Sequence, residues 1–188
     1  RQPKAVLKLL AQHVPNVNGK KVAVLGLAFK PGTSDMRESP AIPIIQELLK
    51  DGAQIAAYDP MARDEAEKIL SAQEVTFAGS LEDAVAGAEA VLVLTRWPEF
   101  KRLESLFAGL ANAPLVIDGR RMLDRRCFSR YEGIGLRRHS TNGANHSKAG
   151  TPCGAVVGKA TAFGFGSLFN EQLTAWIIEF AGSFVGVL

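Results

Sequence analysis

Val6, Leu7, Leu10 and Val14 recur at helical spacing through "AVLKLLAQHV", and Asn16, Asn18 and Gly19 then break the pattern, which predicts an opening helix. The next run, "KVAVLGLAF", is apolar without alternation and rich in Val, as a strand covered on both faces requires. "SPAIPIIQELLKDG" returns to helical spacing, with Ser39 as the expected N-cap, Pro40 at the first helical position and Gly52 where a left-handed C-terminal residue is wanted. The alternation then repeats. "AQIAAYDP" reads as strand, "MARDEAEKILS" as helix, "EVTFAG" as a brief strand, and "SLEDAVAGA" as a helix capped by Ser80 with acids in its first turn. "EAVLVLT" reads as strand, "EFKRLESLFAGLA" as an amphipathic helix with Phe100, Leu103, Leu106, Phe107 and Leu110 on one face, and "APLVIDGR" as strand again.

Strands alternating with helices at these intervals predict an α/β fold: a Rossmann-like, doubly wound parallel sheet with helices on both faces and right-handed crossovers. The expected organisation is a leading helix over residues 1–17, an α/β domain over 18–136 and an atypical tail over 137–188. In such sheets ligands lie beyond the carboxyl ends of the strands. Lys30 and Arg37 follow the first strand and Arg120 follows the last, so three cations flank that edge. A lysine and an arginine near the amino end of the helix behind Ser39 suit a phosphate or diphosphate, the bland alternative being solvated loop charges.

Composition narrows the classes. The chain has 188 residues, 47% of them apolar, enough to bury a core, and a net charge of +3 with its cations dispersed. Nucleic-acid binding is therefore not expected. Cys127 and Cys153 have neither zinc-site spacing nor the density of a disulfide scaffold, so both read as buried or incidental thiols in a cytoplasmic setting. His13, His139 and His146 have no partners at ligand or triad spacing, and no metal site is expected. The chain opens at Arg1 with no leader, which reads as the interior of a longer protein.

The turn after the first strand lacks the glycines of a dinucleotide fingerprint: Gly26 is followed by Ala28 and Phe29, and the next glycine is Gly32. Asp59, at the end of the second strand, either mimics the acid that holds an adenosine ribose or forms an ordinary Asp-Pro turn, and without the glycine turn the latter is favoured. This domain is not expected to carry the main NAD fingerprint.

"GLAFKPGTSDMRESPA", "YDP", "VLVLTRWPEF" and "VIDGRRML", in that order and at those separations, resemble the carboxyl-terminal, nucleotide-sugar-binding domain of the UDP-glucose/GDP-mannose dehydrogenase family, over about Lys4 to Leu136. Members of that family oxidise the C6 hydroxyl of a nucleotide sugar to a carboxylate in two NAD-dependent steps, UDP-glucose giving UDP-glucuronate. Their first domain holds NAD, and a central helix joins the domains and builds the dimer, so a homo-oligomer is implied. The resemblance implies that Phe29 and Lys30 contact the nucleotide sugar, that Arg120 binds the same ligand, and that Arg37 reaches the NAD cofactor across a cleft. Asp35 and Glu38 are then expected to orient Arg37 or cap the helix rather than touch ligand, and Asp118 to brace the turn around Arg120 rather than act as a base.

The family's thiol nucleophile and NAD fingerprint match nothing in this sequence, so no catalytic residue is expected in the chain, which should bind substrate weakly or not at all and should not turn it over. A stand-alone nucleotide-binding or regulatory module is the second reading, and GDP-mannose or UDP-N-acetylmannosamine is the alternative substrate. From Arg137 the sequence departs from the family. It turns Gly-, Ser- and Asn-rich and ends in "FNEQLTAWIIEFAGSFVGVL", whose apolar run is interrupted by Glu179 and too short for a comfortable membrane span, so no membrane partner is expected. A partner-packed helix and a non-native tail both remain open.

Overall fold

The computed structural model describes residues 2–70, 73–110 and 112–135, so the expectations for the tail, and for His139, His146 and Cys153, lie outside the described residues. Helix α1 (Gln2–His13) buries Val6 and Leu10. Six strands follow: β1 (Lys21–Leu25), β2 (Gln54–Tyr58), β3 (Val75–Phe77), β4 (Ala90–Val93), β5 (Leu115–Asp118) and β6 (Tyr131–Gly133). They form one sheet in the order β3-β2-β1-β4-β5-β6, with every neighbouring pair parallel. This is the doubly wound order, in which the strand sequence reverses between β1 and β4 and opens a crevice at their carboxyl ends.

Alternate residues of each strand feed two cores. Val22, Val24, Leu92, Leu115 and Ile117 pack with α1, with α2 (Ala41–Lys50) and with Ala66 of α3 (Arg63–Ile69). Ala23, Leu25, Val91, Val93 and Val116 pack on the other side with α4 (Leu81–Val85), Phe100, and Leu103 of α5 (Leu103–Leu106). Burial on both faces is why the strands are apolar without alternation.

Four local expectations need correction. Ser39 is not the N-cap of α2: Pro40 is, and the Ser39 hydroxyl accepts from Ala41 N–H at 3.2 Å while donating to Leu27 C=O at 2.5 Å. The long helix after β4 is instead a 3-10 turn, Pro98–Arg102, running into the single turn of α5, and the left-handed Gly109 turns the chain away, so that Leu110 is exposed rather than on the apolar face. A sixth strand lies beyond β5, and His13 at the end of α1 has a partner there, its Nε2 lying 2.8 Å from Glu132 Oε1. Cys127 is buried, as expected, but disulfide-bonded instead of a thiol. The caps expected at Ser80 and Gly52 hold. Ser80 accepts from Asp83 N–H at the start of α4, and beyond α2 Gly52 N–H bonds Leu49 C=O while Ala53 N–H bonds Leu48 C=O, a Schellman ending. No described helix is long and apolar enough to cross a membrane.

Candidate functional site

The turn after β1 is fixed from four directions. Gly26 has φ +88°, and a Cβ there would sit 2.6 Å from both Cβ and backbone N of Thr95, so the β1 and β4 turns approach as closely as only glycine permits. Leu27 and Ala28 N–H both donate to Asp59 Oδ2, at 2.8 and 3.1 Å. Their carbonyls accept from Ser39 Oγ and Thr95 Oγ1, at 2.5 and 2.6 Å, and Phe29 N–H donates to Asp35 C=O at 2.9 Å. Every backbone polar group of Leu27 and Ala28 is thus taken by protein, whereas a dinucleotide turn must aim its amides at a pyrophosphate. Asp59 itself is buried and also accepts from Trp97 Nε1 and from Met61 and Ala62 N–H. The Asp-Pro turn reading of this residue therefore understates it, since it ties the turns after β1, β2 and β4 together.

The amino end of α2 is a poor anion site. Pro40 and Pro43 have no amide hydrogen, and Ala41 N–H is directed at Ser39 Oγ. This helix end therefore offers an anion few amides.

Those side chains converge across the crevice. With the turn pinned, Phe29 is left 48% exposed and Lys30 follows it into solvent. On the far side, Asp118 is fully buried at the end of β5, where Oδ1 accepts from Arg120 N–H (2.8 Å) and Oδ2 from Met122 N–H, Leu123 N–H and Tyr131 O–H (2.8, 2.9 and 3.1 Å). It braces the turn that carries Arg120. Arg120 Nε donates to Leu94 C=O at 2.5 Å, and Arg96 donates from Nε and Nη2 to Arg120 C=O at 3.1 and 2.8 Å. Burial first, and the nearby Arg96 charge second, lower the Arg120 pKa from its usual value, although a guanidinium remains charged at neutral pH. A cationic group under such repulsion gains when an anion enters.

Phe29, Lys30, Thr95, Arg96, Arg120 and Arg121 line a cleft of about 490 Å³ with no acid among its lining residues. A second cleft of about 500 Å³ shares Phe29 and Arg120 and extends to Gln2, Glu38 and Ser39. The structure thus brings together Phe29, Lys30 and Arg120, but places Arg37 outside both clefts. The Arg37 guanidinium is 88% exposed and forked onto Asp35, with Nε–Oδ1 at 3.0 Å and Nη2–Oδ2 at 2.8 Å. Arg96 and Arg121 were not singled out from sequence, although the same strand-end rule applied to β4 and to the residue after Arg120 would have found them. Among the described residues no group of three His, Cys, Asp or Glu side chains could hold a metal ion.

The hydrogen bonds from the Arg37 side chain and backbone hold the Asp35 carboxyl at about 2, below its ordinary 3.8. A depressed folded pKa means that the pair's contribution is present above the ordinary range and is lost as pH falls through 2. NMR titration should show this midpoint, and Arg37→Ala should raise it part of the way to the usual range, the Arg37 N–H bond to Asp35 Oδ1 remaining; because the pair is exposed, the melting temperature should barely change.

An all-parallel sheet in this order, with a cationic cleft at its switch point, defines a Rossmann-type domain. The family described as "UDP-glucose/GDP-mannose dehydrogenase family, UDP binding domain" matches residues 23–125, more than half of the chain. UDP-glucose 6-dehydrogenase AglM of Haloferax volcanii is 44% identical over 133 residues, which cover 71% of this chain and 30% of that protein. Among solved structures, a UDP-glucose dehydrogenase from Pyrobaculum islandicum aligns with TM-score 0.63 and 33% identity over 72% of this chain and 30% of that one. A UDP-D-ManNAc dehydrogenase from Pyrococcus horikoshii aligns with TM-score 0.54 and 27% identity over 71% of this chain and 30% of that one. The chain belongs to the UDP-glucose/GDP-mannose dehydrogenase family and carries its UDP binding domain, spanning about 30% of the length of these relatives.

Proposed function

We propose that the chain is the substrate-binding part of an NAD-dependent UDP-glucose 6-dehydrogenase, and that the cleft between the β1, β4 and β5 turns holds the UDP moiety. The observation that carries this reading is the convergence of Lys30, Arg96, Arg120 and Arg121 on one cleft without an opposing acid, within a chain of this family. Lys30 acts as a point charge, Arg120 as a partly buried planar donor and Phe29 as the apolar wall. In the full reaction the C6 alcohol of UDP-glucose becomes a carboxylate, with two NAD⁺ reduced and one water consumed.

NAD does not fit the β1 turn of this domain, because the amides that would meet its pyrophosphate are bonded to Asp59. Arg37, oriented by Asp35 and open to solvent, is proposed to face cofactor held by the rest of the enzyme. The chain alone is then a binding unit without turnover, and a homo-oligomeric, cytoplasmic full-length enzyme belongs to the same reading.

Calorimetry with UDP tests the cleft. Lys30→Ala and Arg120→Ala should each weaken binding by roughly tenfold or more, as loss of a charge-assisted contact does, and both effects should shrink at high salt. Unchanged affinity in both variants would contradict the site. GDP in the same experiment separates the GDP-mannose alternative, since a uridine site should prefer UDP.

A further inference from the structure

Arg121 is the cleft residue that neither sequence spacing nor the turn architecture explains. Its backbone is left-handed, with φ +52°, which an L-residue other than Asn or Asp seldom adopts and which costs stability that glycine would not incur. The cause lies in Asp118, whose two oxygens gather the N–H groups of Arg120, Met122 and Leu123 and force the chain between them to reverse. Glycine is the residue such a turn favours, yet an arginine stands there.

The other two arginines of the cleft are committed to the protein, Arg120 through Nε to Leu94 C=O and Arg96 through two nitrogens to Arg120 C=O. Among the described residues, the Arg121 side chain makes no hydrogen bond or ion pair. It is exposed and lines the cleft alongside Lys30 and Arg120. A guanidinium with its whole donor fork available, in a cleft lined by three further cations and no acid, is suited to an anion carrying several acceptor oxygens.

We infer that Arg121 is a ligand-binding residue of the cleft, and that its fork grips the diphosphate of the bound nucleotide rather than the base or the sugar. This rests on the proposed UDP site, and it accounts for a strained residue retained where glycine fits better.

The test measures UDP and uridine binding by the full chain, by NMR titration so that weak binding is seen, together with melting temperature. Arg121→Gly should weaken UDP binding roughly tenfold, leave uridine unchanged, and keep or raise the melting temperature by a degree or two, because strain is relieved as the contact is lost. Arg121→Lys, with the same backbone and a charge, should keep most of the affinity, and Arg121→Gln should not. UDP binding within twofold of the parent in both the Gly and Gln variants, or equal losses for UDP and uridine, would overturn the inference. Should the Gly variant melt lower, the Lys and Gln pair alone decides. Lys30→Ala and Arg120→Ala run alongside: if they weaken UDP binding and Arg121→Gly does not, only this inference falls, whereas no effect in any of the three removes the cleft reading itself.

Discussion

Replacing Asp59 with Ala should destabilise the protein by roughly 3–5 kcal/mol and lower its melting temperature by roughly 10 °C, more than any single cleft substitution. One buried carboxylate accepts from five donors: the N–H groups of Leu27, Ala28, Met61 and Ala62, and Nε1 of Trp97. Removing it orphans all five at once. Each buried donor left unpaired costs about 1–3 kcal/mol, and water entering the vacated space recovers part of that, so the total falls short of the sum. Asp59→Asn should lie between, because its amide offers one acceptor oxygen and turns a donor towards other donors. Chemical denaturation checks both, and parent-like stability in the Ala variant would show that the carboxylate does not hold the three turns together.

Asp118→Ala should combine two effects, a loss of roughly 2–4 kcal/mol in stability and a fall of roughly tenfold in UDP affinity. The stability loss follows from its four donors, Arg120, Met122 and Leu123 N–H and Tyr131 O–H, around a fully buried carboxylate. The affinity loss follows because the same bonds aim Arg120 and Arg121 at the cleft. Tyr131 reports on this directly. Burial and the Asp118 charge raise its pKa above the ordinary 10.0, so Asp118→Ala should return the phenol towards that value in a spectroscopic pH titration. A raised phenol pKa adds stability that is present below pH 10 and lost as pH climbs through the folded value, so the variant's stability should fall less steeply than the parent's above pH 10. Intact UDP affinity in a destabilised Asp118→Ala protein would confine this residue to the fold.

What the sequence revealed and what it hid divide by range. Features set within a few residues were legible: Ser80 before Asp83, Gly52 after Lys50, and apolar runs that mark β1, β4 and β5. Pairings across the chain were not. Asp59 lies about thirty residues from the amides that it anchors, so local reading offered only an Asp-Pro turn. Ser39 has the right chemistry for a cap, but the Leu27 carbonyl and the prolines behind it displaced the helix start by one residue. The three-residue β6 is too short for any periodicity to register, and its tie to α1 through His13 and Glu132 spans nearly the whole described chain. Within the cleft, Phe29, Lys30 and Arg120 were accessible from strand-end position and motif resemblance. Arg96 and Arg121 obey the same strand-end rule, but that their turns share one cleft follows from the sheet order, which sets β4 between β1 and β5.

The central claim is that side-chain cations, not turn amides, hold a nucleoside diphosphate at this sheet edge. A crystal structure of the chain with UDP tests it most directly. The account predicts the diphosphate in the cleft beside Phe29, with oxygens within about 2.7–3.2 Å of Lys30 and the Arg120 and Arg121 guanidiniums, and with Leu27 and Ala28 N–H still on Asp59. UDP bound elsewhere, or a pyrophosphate seated on the amides of Leu27 and Ala28 with Asp59 displaced, would contradict it.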